Sequence, residues 1–448
     1  VLLCDDRPGG DCLPDSGGLF HPLALGQLPP DAEIPLTREQ ASDLRVVSYN
    51  VLTDNPWQGQ GNRIGRQLVA VAADIYCFQE IYNHTPAETA SYVSSWVSPS
   101  GGGNWFSAGQ SDCIFVSRFP ILQTWALSGN SAAWIDTSSE WGVPTMVINA
   151  HLPCCANESG RQNECDQIAA FIRDQRLAGL LSTHPEAAVL IVGDMNFVGE
   201  SRQRTTLLTG DILDETQWGW DYPMDADGSD LIDTKSRHVA RRQIYTWRND
   251  NGSYSPGYLD YIIYSDSVLE LGRHYVLLTD EMSNSSLVQN GLQFDDSSGS
   301  DHLLVADGLQ EPLLAAMTEA RQEMYGEAPL RSDQLGHIVN DRQFQRLESL
   351  LEGARAAGRI LLGGEVNRDE RRIAPTVIRV ENRQDPLMAD EVFGPLLPLL
   401  DLGDLDSTLA EIRRGPKPLA LYVFGGSDEQ QQHVQYQRKR SGFVKRGG

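Results

Sequence analysis

Apolar positions along this chain fall into short runs that stop on a polar residue, and the clearest is residues 187–196, AAVLIVGDMN. Six apolar residues in a row are too few for an ordinary helix, and their arrest at Gly-Asp reads as a buried strand of the parallel type. On an extended backbone residues i and i+2 point the same way, so the strand presents Asp194 and Asn196 to one site at its carboxyl edge. The habit repeats. LRVVSYNVL (44–52) reads as a strand with Asn50 near its end, DIYCFQE (74–80) ends in Glu80, and TMVINAHL (145–152) carries His151. Further strands are expected at 112–117, at GYLDYIIY (257–264) with Asp260, and at 301–306 with Asp301 and His302. Helical stretches at 63–73 and 161–181 lie between them, and this alternation predicts an α/β fold.

Polar residues at strand ends are candidates for one cleft, because ligands in open α/β sheets bind outside those ends. Four carboxylates (Glu80, Asp194, Asp260, Asp301), two histidines (His151, His302) and two amides (Asn50, Asn196) are the inventory for phosphoryl transfer by metal-activated water. Hard oxygen ligands such as Glu80 suit Mg²⁺ or Mn²⁺ and do not invite soft metals. His302 beside Asp301, with Asp260 on a neighbouring strand, is how an imidazole is fixed in orientation and charge to act as acid, base or oxyanion stabiliser. A single residue of this kind is more often a turn or a cap; the same habit in six segments argues against coincidence.

Charge divides the chain. At 448 residues two or three domains are expected. Residues 1–310 hold 17 Lys and Arg against 40 Asp and Glu, a balance of −23, whereas 311–448 hold 19 against 21. The acidic first unit lacks the basic footprint of sequence-independent nucleic-acid binding and suits a site that recruits divalent cations. Its only basic cluster lies around Ser236, with Arg237, His238, Arg241 and Arg242, and either meets substrate phosphate or forms an exposed charged face, the commoner case. No run of about 18 apolar residues occurs, so no transmembrane helix is expected. Residues 1–41, rich in Gly, Pro and Asp, read as an acidic linker or tail, and a start at Val1 without Met fits a removed leader or a fragment. Of seven cysteines, Cys154, Cys155 and Cys165 cluster without zinc spacing, Cys4 and Cys12 lie in the acidic start, and Cys77 and Cys113 sit in apolar runs as inert buried thiols. The odd count in a loop-rich setting leans towards a secreted or extracytoplasmic origin, with disulfides and one free thiol.

The ordered series SYNV, CFQE, NAHL, GDMN, LDYIIY and SDHLLV, from about residue 44 to 308, resembles the endonuclease/exonuclease/phosphatase superfamily, the fold of deoxyribonuclease I, neutral sphingomyelinases and inositol polyphosphate phosphatases. The resemblance implies a four-layer α/β sandwich, two mixed sheets face to face with helices outside. It also implies roles: Glu80 holds the metal with Asn50 beside it, and Asp194 positions or deprotonates the attacking water. Asn196 and His151 contact the phosphate, Asp260 orients His302, and Asp301 supports the metal or His302. Where apurinic-site nucleases of the family carry a tyrosine motif this sequence has His151, which favours the diesterase and phosphatase branches.

Beyond residue 310 the pattern changes. Helical spacing at 311–326 and 340–358 precedes RILLGGEV, RRIAPTVIRV and DPLMADEVFGPLLPLLDL, and to about residue 434 this closely resembles the carboxyl-terminal part of a class 3 type aldehyde dehydrogenase. The resemblance implies that Glu391 and Phe393, in EVFGP, are vestiges of contacts to a nicotinamide ribose. Yet no cysteine occurs after Cys165, and the chain stops at Gly448 before the family's remaining segment. Aldehyde oxidation needs a thiolate and a bound dinucleotide, so a truncated α/β dehydrogenase segment is expected to be inert, and to be loosely packed or to associate with another chain. The domain reading is 1–41, 42–309 and 310–448, a join between unrelated pieces rather than a designed bifunctional enzyme. Function reads as a Mg²⁺- or Mn²⁺-dependent phosphoesterase, with a small or lipid phosphodiester favoured over long duplex DNA because −23 charges repel a polyanion. The alternatives are a DNA endonuclease, a diverged aldehyde dehydrogenase, which the missing thiol and missing G-x-G-x-x-G oppose, and a non-catalytic module, which the intact motifs oppose.

Overall fold

The computed structural model describes residues 33–400, apart from 41–42, 142–143, 199–200, 251–253, 311 and 381, together with residue 409. Most of the expected linker, with Cys4 and Cys12, and the dehydrogenase-like stretch after residue 400 lie outside the described residues apart from Leu409. Among the described residues twelve strands precede residue 311: β1 Leu44–Asn50, β2 Ile75–Gln79, β3 Phe106–Gln110, β4 Cys113–Ser117, β5 Ile121–Leu127, β6 Asn130–Ile135, β7 Thr145–His151, β8 Ala188–Asp194, β9 Ile232–Asp233, β10 Asp260–Tyr264, β11 Glu270–Leu277 and β12 Leu304–Gln310. They form two six-stranded sheets, ordered β11-β12-β1-β2-β4-β3 and β5-β6-β7-β8-β10-β9. Both are mixed: β1 runs parallel to β2 and antiparallel to β12, and β8 runs parallel to β7 and antiparallel to β10.

Alternation along each strand explains the layering. Leu44 and Val46 of β1 and Ala188, Leu190 and Val192 of β8 face a core between the sheets, shared with Cys77, Phe115, Val147, Ile262 and Val305. Val47 and Tyr49 of β1 point the other way, into a core with Ile64, Leu68 and Val71 of the helix Gly61–Val71. Val189 and Ile191 of β8 likewise meet Cys165, Ile168 and Ile172 of the helix Glu158–Ala178. A strand buried on both faces is mostly apolar, which is why β8 reads as a continuous run and β1 as one broken by the buried Arg45 and Ser48; each buried Val, Leu or Ile contributes about 1.5–3 kcal/mol. The four-layer sandwich follows.

Several boundaries differ from the sequence reading, each for a hydrogen-bonding reason. The strand expected from residue 301 begins only at Leu304, because Arg248 N–H donates to the Asp301 carbonyl and Leu303 N–H to the Thr246 carbonyl, tying residues 301–303 to a loop instead of a sheet. The strand expected from residue 257 begins at Asp260, since Gly257 bridges Trp247. The helix expected over 161–181 starts earlier, where the Asn157 side chain accepts from Gly160 N–H, and breaks at Gly179 before a short turn, Leu180–Thr183. Cys77, Cys113 and Cys165 are free and buried, while Cys154 and Cys155 are disulfide-bonded to each other. Among the described residues no helix is long and apolar enough to cross a membrane.

After residue 311 the helices Pro312–Tyr325 and Asp341–Ala356 pack beside short strands β13 Ile360–Leu362, β14 Val366–Asn367, β15 Arg372–Ile373, β16 Thr376–Val380 and β17 Leu396–Leu400. Asn340 caps the second helix by accepting from Gln343 N–H, and its buried face, Phe344, Leu347 and Leu351, packs on Ile378, Leu387 and Leu396. Here the described strands form a three-stranded sheet, β13-β16-β17, and a two-stranded one, β14-β15.

Candidate active site

The site forms where β1, β7, β8 and β10 bring polar ends together. In the register His151 of β7 and Asp260 of β10 both lie opposite Asp194 of β8. Such an approach needs Gly193: its φ is +144°, and a Cβ there would stand 1.9 Å from the Ala150 carbonyl oxygen. The Gly-Asp that stops the apolar run therefore lets β8 press on β7 and delivers Asp194 buried at the junction.

Asp194 Oδ2 is the hub. It accepts from Asn50 Nδ2 at 3.1 Å and faces Nε2 of His302 at 3.5 Å and Nε2 of His151 at 3.7 Å, while Oδ1 accepts from Asn196 N–H at 3.1 Å. Each imidazole is backed by a second carboxylate: His302 Nδ1 lies 2.8 Å from Asp260 Oδ2, and His151 Nδ1 lies 2.5 Å from Asp112 Oδ2. Burial opposes charge on His302, but Asp260 and Asp194 overcome it and raise the ring to about 10. Burial opposes charge on His151 too, and Asp112 with Asp194 raises that ring to about 8. Asp194 itself is pushed up to about 6, first by burial and then by Asp260, against the pull of His302 and His151. Two imidazolium rings thus flank one strained carboxylate, an arrangement suited to holding an anionic group and moving protons at it.

Glu80 stands at the rim, half-buried, with Oε1 accepting from Asn50 Nδ2 at 3.0 Å and Oε2 accepting from Thr53 N–H and Oγ1 at 2.9 and 3.0 Å. Asn196, at φ +49°, donates its side-chain amide to the Leu152 carbonyl at 3.0 Å. Asp301 takes a different place from the others. Its Oδ2 accepts from the Trp247 indole at 2.9 Å, and its charge acts on His302. Asp194, Asp260 and His302 bring three potential ligand atoms within 4.8 Å of one another. A cation could use that trio only if His302 shed its proton, and the ring is already committed to Asp260.

The structure thus gathers Asn50, Glu80, His151, Asp194, Asn196, Asp260 and His302 around one point, with Asp301 behind His302. Glu391 and Phe393 lie in the later unit just before β17, where Phe393 is 75 % exposed. Sequence reasoning missed Asp112, Thr53, Thr246 and Trp247. Asp112 precedes β4 instead of ending a strand, and the other three sit in loops without periodicity. Thr246 Oγ1 nevertheless accepts from Asp260 N–H at 2.8 Å and so fixes the start of β10. The basic cluster divides: His238 is buried between Glu281 Oε2 and the Tyr245 carbonyl and Arg237 donates to the carbonyls of His238 and Arg241, whereas Arg241 and Arg242 are exposed.

Comparison with known proteins bears on both units. The profile of the endonuclease/exonuclease/phosphatase family matches residues 47–302, more than half of the chain. The chain belongs to that family. Membership places it among phosphoester hydrolases. The profile of the aldehyde dehydrogenase family matches residues 295–445. Over 148 residues the chain is 38 % identical to aldehyde dehydrogenase family 3 member B1 of Homo sapiens, a match covering 33 % of this chain and 31 % of that protein. The chain spans about a third of the length of such curated relatives. Among solved structures, the human nocturnin catalytic domain with bound sulfate is similar at 13 % identity, covering 62 % of this chain and 99 % of that one, with a TM-score of 0.38. Staphylococcus aureus AldH in a substrate-bound state is similar at 36 % identity, covering 28 % and 27 %, with a TM-score of 0.26.

Proposed function

We propose that this endonuclease/exonuclease/phosphatase family member hydrolyses phosphate esters with the help of Mg²⁺ or Mn²⁺ held by Glu80, Asn50 and Asp194. The observation that carries the reading is the convergence on Asp194 of two imidazoles, each backed by its own carboxylate. The donor set fits a hard cation. Glu80 Oε1 and Asp194 Oδ2 both accept from the neutral amide Nδ2 of Asn50, at 3.0 and 3.1 Å, so two anionic oxygens already face one point, and Asn50 would join them as a ligand through Oδ1, which here accepts from Leu52 N–H. When bound, the cation supplies neutralisation of phosphate charge and acidifies water.

The chain's own groups do the rest. Asp194 orients the attacking water and accepts its proton. His302 presents an Nε2–H whose ring is fixed by Asp260 and charged at neutral pH, fit to stabilise the charge that develops on phosphoryl oxygen. His151, held by Asp112, and Asn196 contact the phosphate, with Asp301 supporting His302 through the field of its carboxylate. A net charge of −23 over residues 1–310 supports a small or lipid phosphodiester over long duplex DNA. Rates measured side by side on plasmid DNA, a choline phosphodiester and a soluble phosphomonoester, at low and moderate salt, test this. Turnover is expected on the small esters; efficient plasmid nicking with negligible turnover of the other two overturns the substrate assignment in favour of an endonuclease.

The dehydrogenase-like segment we read as inert, because no cysteine follows Cys165 and the vestigial pair Glu391 and Phe393 has no nucleotide-binding partner unit in this sequence. Removing residues after about 310 leaves hydrolysis intact, and the full chain reduces no NAD(P)⁺ with any aldehyde. Hydrolysis lost on truncation, or dinucleotide reduced, contradicts this.

A further inference from the structure

Four non-glycine residues near Glu80 adopt the left-handed region: Leu52 (φ 49°), Thr53 (49°), Asp54 (61°) and Glu80 itself (62°). L residues hold that conformation only where surrounding structure over-determines it, and such clusters mark functional sites. What holds it here is Asp54, whose residue is 1 % exposed. Its carboxylate accepts from Tyr82 N–H at 3.0 Å, from Asn83 N–H at 3.2 Å and from the Asn83 side-chain amide at 2.6 Å, and faces His84 Nδ1 at 3.3 Å. Its own N–H donates to the Glu80 carbonyl at 3.0 Å. The His84 ring is in turn stacked on Trp57, 3.8 Å between centroids and 7° between planes.

Asp54 therefore bolts residues 52–54 to Glu80 and to residues 82–84 that follow it. The same turn aims Thr53 N–H and Oγ1 at Glu80 Oε2, leaving Oε1 directed at the Asn50 amide. We propose that Asp54 is a positioning residue that fixes the Glu80 carboxylate for cation binding by locking these two left-handed segments together. The proposal rests on the reading of Glu80 as a cation ligand. Supporting groups of this kind typically alter metal affinity by about 10–100-fold when removed.

The test is Mn²⁺ binding by the full chain, followed through the spectroscopic signal of free Mn²⁺, for wild type, Asp54→Ala, Asp54→Asn and Glu80→Ala, with thermal melting as the fold control. Asp54→Ala is expected to weaken Mn²⁺ binding about tenfold or more while melting as a cooperative unit. Asp54→Asn, isosteric and keeping one acceptor oxygen, is expected to show a smaller loss, and it carries the test if the alanine variant does not fold. Wild-type Mn²⁺ affinity in the folded Asp54 variants, with Glu80→Ala defective, overturns the proposal. Wild-type affinity in Glu80→Ala overturns the underlying reading of Glu80 instead.

Discussion

Asp194→Asn lowers kcat by about 10³-fold or more in a chain that still folds, because one isosteric change removes the charge on which the site converges. Asp194 is the shared partner of Asn50, His151 and His302, and burial has already raised its carboxyl to about 6, so it is ionised at neutral pH yet poised to take a proton. An amide keeps the shape of the side chain but can neither accept the water's proton nor balance two imidazolium rings. The fold is spared because Gly193 and the β7 register, not the Asp194 charge, set the local backbone. Steady-state kinetics at saturating substrate, with circular dichroism as the fold control, checks this. A kcat within about tenfold of wild type would remove Asp194 from the chemistry.

His302→Ala lowers kcat by about 10²-fold or more with little change in KM. Its ring is almost wholly buried, fixed at Nδ1 by Asp260 and lifted to about 10, so it carries charge throughout the neutral range. A fixed cation directed at the reacting group acts most where negative charge grows, in the transition state, and only slightly on the bound substrate. Removing it also strands the Asp260 carboxylate, whose Oδ1 has no hydrogen-bond donor among the described residues. His302→Asn, which retains a polar group at the site, separates the two effects. A normal kcat with raised KM would make His302 a binding residue.

Much of this site was legible in the sequence because its residues end apolar runs. A strand buried on both faces reads as mostly apolar, and the polar residue that stops it is conspicuous; Asn50, Glu80, His151 and Asp194 were found that way. Edge and half-exposed strands gave no such signal. β5 alternates irregularly and is largely exposed, β9 has two residues, and β11 carries Glu, Arg and His, so all three escaped notice. The partners of the histidines divide in the same way. Asp260 belongs to an apolar run and was expected to orient His302, whereas Asp112 lies at the tip between β3 and β4, where only the folded hairpin reveals that it faces His151. Asp301 shows the limit of position alone: it flanks His302 in sequence, but loop contacts from Trp247 and Arg248 turn it behind the ring.

The measurement that tests the account most directly is hydrolysis of a chromogenic phosphodiester by chelator-stripped chain, before and after adding Mg²⁺ or Mn²⁺. The account predicts negligible turnover after stripping and recovery with either cation in wild type but not in Glu80→Ala. Turnover that survives the chelator undiminished would contradict it.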